Sequence, residues 1–195
     1  MALQEELESQ GNWLFRHRSF LPIAIVVVGW AMYLRRELHP EEFPLFLPEY
    51  EHLYLAVAMG VGLLGLAVRV YTVGFSPRNT SGRNTKVGQV ADTLNQTGIY
   101  SVVRHPLYLG NFLMWLGPAL VTANGWFILA FCFLYWVYYE RIMFAEEQFL
   151  RKKFGEVYLQ WSYGVPAFLP NFSNFVPSNF PFSWKKVLKK EKNGL

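Results

Sequence analysis

Four stretches of the chain are apolar almost without interruption. FLPIAIVVVGWAMYL runs from Phe20 to Leu34, and LYLAVAMGVGLLGLAVRVYTVGF from Leu53 to Phe75. YLGNFLMWLGPALVTA runs from Tyr108 to Ala123, and WFILAFCFLYWVYY from Trp126 to Tyr139. A helix crossing a bilayer needs roughly 20 mostly apolar residues. The second run meets that length, and the first needs its flanks. The pattern predicts an all-α, polytopic membrane protein with about four transmembrane helices. Gly60, Gly62 and Gly65 in the second run would let a neighbouring helix come close. Only Asn124-Gly125 separates the last two runs, a tight-turn signal, so they form an antiparallel helical hairpin.

The polar segments complete the organisation. LQEELESQGNWLFRHR near the start reads as a short amphipathic or irregular piece at the interface. YYERIMFAEEQFLRKKFGEVYLQWSYGVPAFLP, Tyr138 to Pro170, follows the fourth run and predicts an interfacial C-terminal helix. Phe154-Gly155 supplies a glycine stop, and VPAFLP makes a rigid extended exit. One membrane domain results, with N-terminal helices over 1–75, a core over 76–170 and a basic tail over 171–195.

Composition agrees. The chain of 195 residues is 52% hydrophobic, 18% aromatic and 16% charged, where a soluble domain is about 25% charged. The net charge is +4. Much of it sits in SWKKVLKKEKNGL, which reads as a membrane-surface contact. No base-reading motif or basic face indicates a nucleic-acid partner. Cys132, the single cysteine, cannot form an intrachain disulfide and reads as a small buried hydrophobe. No metal-binding cluster is visible. The first twenty residues carry Glu5, Glu6, Glu8, Arg16, His17 and Arg18, which is not the pattern of a cleavable signal peptide. If all four runs span, Arg16, Arg18, Arg78, Arg83, Lys86, Arg104 and the tail lysines share one side. That side is expected to be cytoplasmic.

The candidate chemistry sits at the mouth of the third run, in TGIYSVVRHPLYLGNF. Pro106 disfavours the helical region for His105, so a helix should begin just after it. The free N–H groups of its first turn can hold an anion. Arg104 is a permanent cation at the interface, Tyr108 offers a ring and a hydroxyl, and Gly110 leaves room for a ligand against the helix. Glu140 and Glu147 fall on one helical face, with Glu146 about 100° round from Glu147. Acids this close to a membrane helix are costly unless solvated or paired. They have Arg104, Arg141 and Lys152 as candidate partners, or a ligand's hydroxyls or cationic centre. A solvated surface helix would account for them too.

Taken in order, these motifs resemble a known family. Gly-x-Tyr, Arg-His-Pro-x-Tyr-x-Gly, the hairpin, the Glu-Glu helix, Phe-Gly-x-x-Tyr and Val-Pro look like the integral-membrane methyltransferases. That family is related to isoprenylcysteine carboxyl methyltransferase and phospholipid N-methyltransferase. The match runs from about Arg69 to Pro170. It departs at EEQFL, and the loop GFSPRNTSGRNTKVGQVADTLNQ is longer and more polar than the pattern. The resemblance implies S-adenosylmethionine as cofactor, in a cytoplasm-facing pocket, and a core over 76–170 that binds it. Carried over, Gln89, Tyr100, His105, Tyr108, Gly110 and Glu146 would bind the cofactor. Arg104, orienting the acceptor, and Glu147 would be catalytic.

Methyl transfer is an in-line displacement at a sulfonium, so the enzyme mainly aligns the nucleophile and excludes water. An anionic oxygen needs no general base. This favours O-methylation of a lipid or lipidated acceptor. The loop cations rank a lipid A phosphate, as in a bacterial branch of the family, slightly above a prenylcysteine carboxylate. Two alternatives belong to other classes: an NADPH-dependent sterol- or steroid-type reductase, and a non-catalytic membrane scaffold.

Overall fold

The computed structural model describes residues 2–17, 20–43, 48–77, 83–85 and 88–191. Seven α-helices dominate it: α1 (Leu3–Arg16), α2 (Phe20–Leu38), α3 (Glu51–Phe75), α4 (Pro106–Val121), α5 (Gly125–Phe154), α6 (Glu156–Gly164) and α7 (Trp184–Glu191). Two three-residue strands, β1 (Arg83–Thr85) and β2 (Gly88–Val90), pair antiparallel between α3 and α4. Apart from this short hairpin the regular structure is helical, as the all-α expectation has it.

Two helices, α3 and α5, are long and apolar enough to cross a membrane. Only 11% and 28% of their most apolar windows are buried inside the protein. Their apolar side chains therefore point outward, as in Leu63, Leu64, Phe133 and Leu134, each more than half exposed. Lipid is the medium in which such a surface is stable. The helix α4 is apolar but shorter, at 16 residues.

The fourth apolar run and the acid-rich segment after it are one continuous helix of 30 residues, not a span followed by a separate interfacial helix. No breaker stands between Tyr139 and Phe154, and Glu, Met, Ala, Gln, Leu, Arg and Lys are good helix formers. The helix starts at Asn124, whose side chain accepts from the Phe127 N–H at 2.8 Å. It stops at Gly155, where φ is +53°, a conformation other residues rarely adopt.

Two contacts set the positions of the helices around α5. The first is a close approach of α3 and α4. A Cβ on Gly65 would lie 2.5 Å from the Met114 nitrogen, and one on Gly117 2.8 Å from the Ala58 oxygen. Gly60 meets no atom within 4 Å, and Gly62 meets one only at 4.0 Å, so of the three expected small-residue contacts Gly65 is the tight one. The second contact is α1, which forms a helix and folds back on the polar half of α5. Tyr138 bonds the Leu14 carbonyl, Arg141 bonds Gln10, and Lys152 bonds Glu8. Gly11 lies directly over the Arg141 carbonyl. The core between α4 and α5 is aromatic, built on Tyr108, Phe131, Tyr135 and Tyr139 with Phe15 of α1.

Candidate active site

The segment 97–105 carries the Arg-His-Pro mouth and is held by backbone bonds to a distant strap. Gly98 N–H donates to the Val176 carbonyl, and Asn171 N–H to the Val102 carbonyl. Arg104 and His105 N–H groups donate to the Pro166 and Ala167 carbonyls at 2.9 and 3.1 Å. Pro106 then opens α4, with His105 as its N-cap residue. The two side chains leave this mouth toward α5.

His105 is buried between two carboxylates. Its Nε2 lies 2.9 Å from Glu147 Oε1, and its Nδ1 lies 3.7 Å from Glu146 Oε2. Arg104 Nη1 donates to Glu147 Oε2 at 3.3 Å. The Tyr108 hydroxyl donates to Glu146 Oε2 at 2.9 Å, and its ring stacks on His105. Tyr135 donates in turn to the Tyr108 carbonyl. Burial alone would push the His105 imidazolium toward losing its proton. Hydrogen bonds and charge from Glu146 and Glu147 outweigh burial and hold its pKa above the usual value.

A small cleft, open at its mouth, lies against this cluster. Arg104, His105, Tyr100 and Glu146 line it. Leu94, Asn95, Leu150, Tyr158 and Trp161 line it as well. Trp161 is fixed by a bond from Nε1 to the Tyr100 carbonyl at 3.2 Å. Two buried polar atoms here, Arg104 Nε and the Tyr158 hydroxyl, have no hydrogen-bond partner among the described residues. The Tyr158 hydroxyl sits beside Glu147 and Arg104. Burial, then the Glu147 charge, raises its pKa well above the usual phenol range, and the Arg104 charge offsets part of this. Buried polar groups without partners are rare and mark a place where a ligand can bond.

The structure thus brings Arg104, His105, Tyr108, Glu146 and Glu147 into one network, with Tyr100 beside it. Gly110 stands apart. A Cβ there would lie 2.6 Å from Arg69 Cγ and 3.0 Å from the Gly65 carbonyl. Its missing side chain accommodates α3, not an open ligand space. Glu140 is exposed and away from the cleft. Gln89 lies on β2 opposite Asn84. The expectations for Arg78 and Lys86, and for the side chains of Gln89 and Arg83, fall outside the described residues. Tyr158, Trp161, Leu150 and the 91–95 segment were not among the sequence candidates. Tyr158 had a signal, as the last residue of Phe-Gly-x-x-Tyr.

A family model described as phospholipid methyltransferase matches residues 55–157, more than half the chain. The chain belongs to the phospholipid methyltransferase family. The matched region of this phospholipid methyltransferase family member takes in most of α3, all of α4 and α5, and the whole Arg104–Glu147 network. The protein-S-isoprenylcysteine O-methyltransferase of Schizosaccharomyces pombe is 32% identical over 134 residues, covering 66% of this chain and 55% of that protein. Protein-S-isoprenylcysteine O-methyltransferase B of Arabidopsis thaliana is 36% identical over 74 residues, 37% of each chain. The chain thus spans about half the length, or less, of these relatives. Among solved structures, the eukaryotic intramembrane Ras methyltransferase ICMT (isoprenylcysteine carboxyl methyltransferase) aligns with a TM-score of 0.58 at 19% identity. That alignment covers 79% of this chain and 53% of that one, and it supports the fold. An integral membrane placement follows from the family and from the two long apolar helices.

Proposed function

We propose that this protein is an S-adenosylmethionine-dependent O-methyltransferase acting on an anionic group of a lipidated substrate. The observation that carries the reading is the network at the cleft: His105 held between Glu146 and Glu147, Arg104 beside it, and two buried polar atoms without partners. The family match favours this reading over a reductase or a scaffold.

The residues fit the cofactor's chemistry. S-adenosylmethionine, when bound, supplies an electrophilic methyl on a cationic sulfur. Glu146 lines the cleft with a carboxylate, a group that suits a cationic centre. Tyr100, Leu94, Leu150 and Trp161 offer apolar and aromatic walls, and Asn95 and Tyr158 offer polar contacts. Tyr108 fixes Glu146, and His105 fixes Glu147, so each acid is oriented before any ligand arrives. Arg104 keeps Nε for an acceptor anion while Nη1 stays on Glu147. An anionic oxygen already has its lone pair available, so no residue must remove a proton. The chain's own work is alignment and exclusion of water.

In this reading α2 to α5 cross the bilayer as four antiparallel spans. Bonds from Arg36 to the Val121 carbonyl and from Tyr54 to the Leu120 carbonyl tie the ends of α2 and α3 to the far end of α4. The Arg104 end is cytoplasmic by its excess of Lys and Arg. A prenylcysteine carboxylate is the acceptor to test first, because the similar proteins carry that name. The ranking of a lipid phosphate above it uses Arg104 together with Arg78, Arg83 and Lys86, and of these Arg78, Lys86 and the Arg83 side chain lie outside the described residues.

The test is calorimetric binding of S-adenosylmethionine and of NADPH to detergent-purified protein, followed by labelled-methyl transfer. Saturable S-adenosylmethionine binding, lost in His105→Ala, is expected. Transfer to a farnesylated cysteine carboxylate, rather than to lipid phosphates, is expected next. Binding of NADPH alone would overturn the reading.

A further inference from the structure

The short helix α7 presents three different faces. Val187 is buried against the protein, at 4% exposure. Trp184 and Leu188, one turn apart, are 64% and 68% exposed. Lys185 and Lys189 are also one turn apart and exposed. At 100° per residue these pairs fall in adjacent sectors of the helix. A protein face is followed by an apolar face, then by a cationic one.

Its position is fixed by the end of α3. Ser183 N–H donates to the Gly74 carbonyl at 3.0 Å, and Lys186 Nζ to the Ser76 carbonyl at 2.9 Å. Phe182 lies over Gly74, where a Cβ would meet its ring at 2.1 Å, and it packs edge-on against Phe75. Gly74 and Phe75 close a helix long and apolar enough to cross the bilayer. The helix α7 therefore sits at the depth where that span leaves the hydrocarbon. It is on the same end of the bundle as Arg104 and His105, because the strap from Pro166 to Val176 runs from that mouth directly to it.

We propose that α7 is a binding surface for anionic phospholipid headgroups. Trp184 and Leu188 enter the acyl boundary, and Lys185 and Lys189 meet the phosphates beside them. The apolar pair and the cationic pair meet the bilayer by different forces. A Trp at the interface suits an amphipathic ring, and lysines near an anionic leaflet gain from its surface potential. The occupant is a lipid and not a soluble acidic partner, since the apolar pair adjoins the cations at the end of a membrane helix. This surface does not depend on the proposed chemistry at the cleft.

The experiment uses the full chain reconstituted in vesicles. A Leu188→Cys variant in a Cys132→Ala background carries an environment-sensitive fluorophore. Circular dichroism and monodisperse elution check that it is folded. Vesicles are phosphatidylcholine alone, or with about a third phosphatidylglycerol. The expected result is blue-shifted emission on anionic vesicles, with the shift lost in Lys185→Glu/Lys189→Glu. It should weaken at 1 M salt, where the screening length falls to about 3 Å. Equal emission on both vesicles, unaffected by the charge reversal, would overturn the proposal. So would a shift that tracks protein density instead of lipid charge, which would mean a second copy covers the face.

Discussion

The contact between α3 and α4 predicts a sharp contrast among three glycines on α3. In Gly65→Ala the new methyl would lie 2.5 Å from the Met114 nitrogen, 2.6 Å from the Gly110 oxygen and 2.9 Å from Leu113 Cβ. Ordinary contact is near 3.5–4.0 Å. The first two atoms are backbone and cannot rotate away, so the helices must separate by about 1 Å. Overpacking of this kind costs about 1–3 kcal/mol, and a backbone clash belongs at the top of that range. Alanine returns up to about 1 kcal/mol as a better helix former. The net loss is about 2 kcal/mol, or roughly 4–8 °C in midpoint for a chain of this size. Gly60→Ala and Gly62→Ala meet nothing closer than 4.0 Å, and they should be neutral or slightly stabilising. Thermal unfolding in one detergent, followed by elution or intrinsic fluorescence, measures all three. A Gly62→Ala as damaging as Gly65→Ala, or a Gly65→Ala without effect, would refute the packing account. Gly110→Ala should behave like Gly65→Ala, losing stability and not merely ligand affinity.

Three further outcomes follow from the site and its supports. The raised His105 pKa stabilises the fold below its unfolded value, about 6.5, and that contribution fades as pH rises through the higher native value. Wild type should therefore lose midpoint above pH 6.5 in a step that His105→Gln lacks; the same step in the variant would assign it elsewhere. Glu147→Gln keeps the shape but removes the charge that bonds both His105 and Arg104. Hydrogen bonds to charged groups are worth about 1.5–3 kcal/mol, so labelled-methyl transfer should fall roughly 10- to 150-fold, and a drop under threefold would contradict the role. Asn124→Ala removes the cap on the Phe127 N–H. It should cost about 1 kcal/mol, roughly 2–4 °C, with Asn124→Ser retaining most of the stability.

Much of the architecture was legible because it is written in side-chain type. The apolar runs, the Asn124 turn and the Gly155 stop each have a local signature, and each falls where that signature places it. Arg104, His105, Glu146 and Glu147 stood out because charge beside lipid is expensive, and the structure joins them across about forty positions. The division of α5 into two helices followed a change from aromatic to charged composition at Glu140. Composition changed there, but nothing broke the helix. Gly110 was ambiguous by nature: an absent side chain says that something comes close, not whether it is a ligand or Arg69. The strap was the least visible feature. It binds the mouth through main-chain groups, which every residue carries, so no residue type announces it.

That strap bears on when the protein becomes competent. The residues that fix the Arg104 and His105 backbone from outside are Pro166 and Ala167, and those that extend the pairing reach Val176. The acids, the histidine and the arginine sit on helices whose contacts with one another do not require the segment that sets the mouth to have docked. A chain whose strap is undocked therefore carries the site's side chains without the backbone geometry that aims Arg104 and His105, and closing the strap is what sets that aim.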